Sequence, residues 1–146
     1  MSAYNFRTII VKGDGIRKEG KLCTDSNDIT PGQFVERTGE RFDTVKHAAA
    51  GALARCIAEE AEVWGTDIDT DYDTDGERVL YRACHSGMEA FCLLAAGQSV
   101  EDGDTLEVAA GGNLTAYNAA ERVALAMETV DNTAGTTPAR ILVEIL

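Results

Sequence analysis

The chain has 146 residues, 45% of them hydrophobic, and carries 25 acidic against 13 basic side chains for a formal net charge of −12. That length sets a single domain able to bury one core without staples, and the apolar share excludes a disordered acidic tail. The charge argues against direct binding to phosphate backbones, and no apolar run approaches the roughly 18 residues of a membrane-crossing helix.

Taken in chain order, residues 1–20 read as an N-terminal arm and residues 21–146 as a β-rich body. Residues 1–10 carry Arg7 but neither the apolar segment nor the cleavage site of an export signal, so the product is expected to be made and assembled inside a cell. Thr8, Ile9, Ile10 and Val11 form a β-branched run, followed at once by the turn cluster Lys12, Gly13, Asp14 and Gly15. Such a run is too short to make a core element alone; it is expected to add as an edge strand to this domain or to a neighbouring chain. Lys12, Arg17, Lys18 and Lys21 make this end basic, whereas residues 67–75 are almost pure acid, a division that suits two surfaces with different partners.

Beyond residue 21 the signals are mostly β. Pro31 and Gly32 mark a turn ahead of Phe34 and Val35. Residues 34–37 and 41–45 flank Thr38, Gly39 and Glu40 as a hairpin. Residues 79–84 and 90–94 are two further strand-like runs. Residues 100–106 form a tight turn into another, and Gly111, Gly112 and Asn113 a further turn. In residues 139–146 the apolar Ile141, Val143 and Ile145 alternate with Leu142, Glu144 and Leu146, which suits a strand with both faces partly covered. Residues 46–63 and 117–127 have helix-forming composition, but propensity yields to a sheet environment, and at most one short helix is expected.

Chemical motifs are sparse. Cys23, Cys56, Cys84 and Cys92 include no CxxC pair; Cys84, His85 and Cys92 could supply three zinc ligands, but the apolar neighbours of Cys56 and Cys92 favour buried thiols. Asp71, Asp73, Asp75 and Gly76 match the opening of a calcium loop, yet its twelfth position is Arg82 where a bidentate Glu is required. Asp69, Asp71, Asp73 and Asp75 remain weak candidates for a looser cation site, with a solvated acidic loop as the plainer reading. Ser86 beside His85 lacks the geometry of a nucleophile and base, there is no G-x-S-x-G elbow, and Lys12 to Gly15 is too short for a phosphate loop. The chain therefore reads as non-enzymatic and without a cofactor. Its nine aromatic residues are dispersed and suit core and interface packing.

Several stretches together resemble a known family. Residues 8–20 (TIIVKGDGIRKEG), 29–36 (ITPGQFVE), 65–72 followed by 76–79, 90–98 (AFCLLAAGQ) followed by Val100, Gly103 and Asp104, 124–132 and 138–145 are similar, in order and spacing, to the capsid cement (head decoration) proteins of tailed double-stranded DNA viruses. The resemblance covers nearly the whole chain. It implies a mainly β domain of the β-tulip or barrel-like kind, with a second hairpin over 90–104 and strand rather than long helix within 46–63 and 117–129. It also implies a homo-oligomer, such as a trimer, on the outer surface of the virion capsid, its arm reaching the major capsid protein or a neighbouring copy. On that reading Ile9, Ile10, Val11, Ile16, Arg17 and Lys18 are the candidate capsid contacts. The rival readings are a calcium-dependent adhesion module built on residues 67–75, and a small β-clip enzyme hinted at by residues 100–106.

Overall fold

The computed structural model describes residues 2–23, 28–73 and 76–146. Its β-branched and aromatic runs become strands, and the strands close into two rings. The first ring joins β2 (Ile16–Leu22), β3 (Phe34–Thr38), β4 (Thr44–His47), β5 (Cys56–Ala58) and β6 (Arg78–Ala83) in the order β2-β4-β3-β5-β6. The expected hairpin is β3 and β4, with Thr38 opposite Thr44. β2 runs antiparallel to β6 but parallel to β4, where Leu22 faces Val45. Alternation along the strands sends Leu22, Val35, Val45, Ala58, Val79 and Tyr81 into a shared core with Ile29 and Tyr72.

The second ring is built from β7 (Glu89–Leu94), β9 (Thr105–Val108), β10 (Leu114–Ala116), β11 (Ala124–Ala126) and β13 (Ala139–Ile145), in the order β7-β10-β9-β11-β13. It closes because β13 pairs with β7 from Ala139 opposite Leu94 to Glu144 opposite Glu89. β1 (Ile10–Lys12) adds to β7, and β8 (Ser99–Val100) pairs with β12 (Val130–Asp131) as a small separate ribbon. Ring closure satisfies backbone groups that an open sheet would leave bare. Ile141, Leu142 and Val143 are all buried, so both faces of β13 are covered as its sequence suggests. Residues 90–104 do not form a hairpin, because β7 spends its hydrogen bonds on β13, β1 and β10.

The alanine-rich stretches contain strand. Residues 46–63 supply β5 and residues 117–129 supply β11, and the described helical residues lie in 3-10 turns at 40–42, 62–64 and 110–112. Pairing with β3, β6, β9 and β13 overrides the helix preference of alanine there. The two rings meet where the 110–112 turn crosses β3. Gly112 lies against the backbone of Phe34, whose ring is buried in the core of the second ring, and the Phe34 carbonyl accepts from the Ala48 N–H at 3.0 Å.

Of the two placements open to the N-terminal run, the structure shows addition to its own domain. Residues 1–20 are not a free arm. Ile9 is fully buried in the core of the second ring, β1 is bound to β7, and β2 is a stave of the first ring. A β-branched run too short to fold alone has added to its own domain.

Candidate interaction surface

The N-terminal segment crosses both rings and is held at every few residues. Glu128 accepts from the Ser2 hydroxyl at 2.7 Å, the Ala3 N–H at 2.9 Å and the Leu142 N–H at 2.9 Å. The Tyr4 ring stacks on Phe6 at 5.3 Å, and Phe6 meets Phe91 edge-on at 5.3 Å. The Ile9 N–H donates to the Glu60 carboxylate at 3.0 Å, and Lys12 pairs with Glu89 at 3.4 Å. Next, the Asp14 carbonyl accepts from Arg82 at 2.6 Å.

Two adjacent buried acids organise this region. Glu59 accepts from the Arg17 Nε at 2.7 Å through one oxygen and from the Arg82 Nη2 at 3.1 Å through the other. Arg17 and Arg82 are directly opposed on β2 and β6, so the carboxylate relieves a repulsion that their register would otherwise create. The Tyr72 hydroxyl donates to the Glu59 carbonyl at 2.6 Å. Beside it, burial pushes the Glu60 carboxyl above the usual range, helped by the neighbouring charges of Glu59 and Glu62 and opposed by the Ile9 N–H.

A carboxyl whose folded pKa is raised binds its proton more tightly in the native state than in the unfolded chain. Its charge therefore costs stability as pH rises from the unfolded value towards the folded one. Glu60→Gln keeps an acceptor for Ile9 without the charge. It is expected to be more stable than the parent at about pH 8, the difference shrinking towards about pH 5. Urea unfolding at both pH values checks this; a difference independent of pH refutes it. Asp67, Glu107 and Asp131, whose carboxyls are lowered by local hydrogen bonds, are common to both proteins and cancel from the difference.

The acidic loop is used structurally. Asp67 accepts from the Asp69 N–H at 3.0 Å and the Thr70 hydroxyl at 2.9 Å. Asp69 pairs with Arg140 at 3.2 Å, and Arg140 also donates to the carbonyls of Pro31 (2.6 Å) and Ile68. The Asp73 N–H donates to Glu77 at 2.9 Å, and Asp75 lies outside the described residues. Among the described residues no group of three or more His, Cys, Asp or Glu is placed to hold a metal, and Arg82 is committed to Glu59. A surface groove of about 410 Å³ separates this loop from the N-terminal segment, lined by Tyr4, Asn5, Ile68, Phe91, Asn132 and Arg140. Cys84 and Cys92 are buried, and burial pushes both thiols up, Cys84 to about 12, so neither is a ready nucleophile.

The candidate contacts are therefore scattered. Ile9 is enclosed in the core and unavailable to a partner, and Ile10 and Val11 are half-buried against that core. Arg17 is bound to Glu59. Ile16, 63% exposed, and Lys18, half-buried, stand together on β2. Exposed Phe42, Val63 and Trp64 were not distinguishable in the sequence from ordinary packing aromatics and aliphatics. Gly39, which ends β3 and starts the Phe42 loop, is the one cue to the first of them.

No family model matches the chain, and no curated protein matches it in sequence. Among solved structures, the fold is similar to that of the head fiber gp8.5 N base of bacteriophage phi29, with a TM-score of 0.59 and 12% identity, over 90% of this chain and 93% of that one. What the two chains share is a likeness of fold over nearly their full lengths.

Proposed function

We propose that the chain is a structural protein of a tailed double-stranded DNA virus head, bound to the outside of the shell as a decoration or cement protein. The observation that carries this reading is the likeness of fold to a phage head fiber base over nine-tenths of the chain. The ordered resemblance of its sequence segments to head decoration proteins supports the same reading. The activity is adhesion, with the major capsid protein and further copies of this chain as partners. A shell under internal DNA pressure gains stability when each bound copy ties several capsid subunits together, because the second and third contacts become intramolecular. The interface belongs to the folded body, since β1 and β2 are built into it, and of the N-terminal candidates Ile16 stays exposed and Lys18 half-buried. Imaging heads purified with and without the protein tests the proposal. Added density outside the shell at local symmetry axes is expected. Absence of the protein from heads, or turnover of a substrate by the isolated chain, would overturn it.

A further inference from the structure

One end of the first ring is unlike the rest of this acidic molecule. Ile16 and Lys18 belong to the same face of β2 as Gly20 and the core residue Leu22, so they point towards the ring interior at its open end. Opposite them on β6 are Ala83 and Tyr81, and across β5 and β3 the same row continues through Cys56 and Val35. Arg37 lies two residues beyond Val35 on the same strand; its charge acts on the Tyr81 hydroxyl, and the charges of both Arg37 and Lys18 act on the Cys56 thiol. Among the described residues neither cation forms an ion pair. The nearest acids on the flanking strands are engaged elsewhere: Glu36 holds Lys46 and Glu19 holds Arg78. Glu40 and Asp43 share the adjoining loop.

That loop carries the second observation. Arg41 (φ 58°) and Phe42 (φ 55°) are the only described residues besides glycine in the left-handed region. Each such conformation costs about 1–2 kcal/mol. The strain does not bury Phe42, which is 61% exposed and touches the Arg37 guanidinium at 5.4 Å. A cation–π contact at so exposed a site returns only about 0.5–1 kcal/mol. The backbone holds this unfavourable form, tied by the Phe42 N–H to the Gly39 carbonyl and by the Asp43 N–H to the Glu40 carbonyl, and it displays an aromatic ring beside a cation.

We propose that this mouth docks an extended protein segment presenting a carboxylate next to an apolar residue. The carboxylate sits between Lys18 and Arg37, and the apolar side chain lies against Phe42 and Ile16. Charge complementarity selects this occupant: two cations that form no ion pair among the described residues favour a single carboxylate, while the net charge of −12 opposes a long polyanion such as nucleic acid. The inference rests on the head-bound function proposed above for the source of the segment, a protein exposed on the shell.

The test uses heads freed of this protein, and the full-length chain with Lys18→Glu plus Arg37→Glu, or with Phe42→Gly. The parent is expected to bind in a salt-sensitive manner. The double variant should lose at least about tenfold in affinity. Phe42→Gly should lose about fivefold while its thermal midpoint is unchanged or raised, because glycine relieves the left-handed strain. If the parent fails to bind heads, the proposed function falls. If the parent binds and both variants bind equally well, this inference alone falls. Should the variants instead lose only self-association in sedimentation, the occupant is a second copy and the inference is likewise overturned. A short acetylated peptide alternating Leu and Asp, titrated into labelled protein, gives an independent reading. Amide shifts confined to residues 16–18, 37 and 42 support the mouth, and shifts elsewhere or none oppose it.

Discussion

Replacing Arg82 by methionine is expected to lower the unfolding free energy by about 3 kcal/mol, and the same change at Arg17 by about 1 kcal/mol. The two guanidinium groups face the same carboxylate, so the difference comes from what each leaves behind. The Glu59 side chain is 2% exposed, against 18% for Arg82 and 40% for Arg17. Without Arg82 a buried carboxylate keeps only the more exposed of its two partners, and the Asp14 carbonyl loses its donor. Without Arg17 the carboxylate keeps the better buried partner, and the ion pair that disappears is one that solvent already screens. Urea unfolding of both variants at neutral pH measures the ranking. Equal costs, or a larger cost at Arg17, would show that Glu59 is not the organising charge of this region.

A single methyl group at position 112 should be worse. Gly112 has a φ of 77°, and a Cβ built there would lie 2.2 Å from the Phe34 carbonyl oxygen and 3.2 Å from its nitrogen. Both atoms are backbone of β3, so no side-chain rotation makes room. Gly112→Ala would have to push β3 and the 110–112 turn apart, disturbing the Phe34 ring and the Ala48 hydrogen bond that the Phe34 carbonyl accepts. About 4 kcal/mol is expected, or failure to fold. Gly103→Ala is the control. Its φ is 95° and a Cβ there meets nothing within 4 Å, so it bears only the left-handed cost of about 1–2 kcal/mol. A cost at 112 no greater than at 103 would mean that the two rings are not locked together at this crossing.

Local signals in the sequence carried the strands well. Residues 79–84, 90–94 and 139–146 are rich in β-branched, aromatic and aliphatic side chains, and they became β6, β7 and β13 almost residue for residue. The β3–β4 hairpin was readable from its explicit glycine, but residues 41–43, expected in its second strand, lie in the loop. What resisted was pairing across distance. Nothing in the immediate neighbourhood of Ile9 says that it will be enclosed by residues around Phe91, so the sequence leaves addition to this domain and addition to a neighbouring chain both open. Glu59 and Glu60 appear as two more acids in an acid-rich chain. Glu59 is buried against Arg17 and Arg82, which lie 42 and 23 residues away along the chain, and Glu60 against the Ile9 N–H, 51 residues away. Phe42 was hidden for the opposite reason. Aromatic residues are usually enclosed, and only the backbone angles of its loop reveal that this one is held outward.

The order in which the staves occur along the chain has a kinetic consequence. All five strands of the first ring fall within residues 16–83, so it can close before the second exists. The second begins with β7 and waits for β13, the last of its own staves in chain order, while β1 also waits for β7 to arrive. During that interval the oily inner surfaces of β7, β9 and β10 have no permanent cover. Long-separation pairing of this kind sets folding on a scale of roughly milliseconds to seconds, slow enough for encounters between half-finished molecules to compete. Yield is then expected to depend on how quickly the seven-residue β13 finds its seat, and substitutions in β13 are expected to reduce the amount of folded protein.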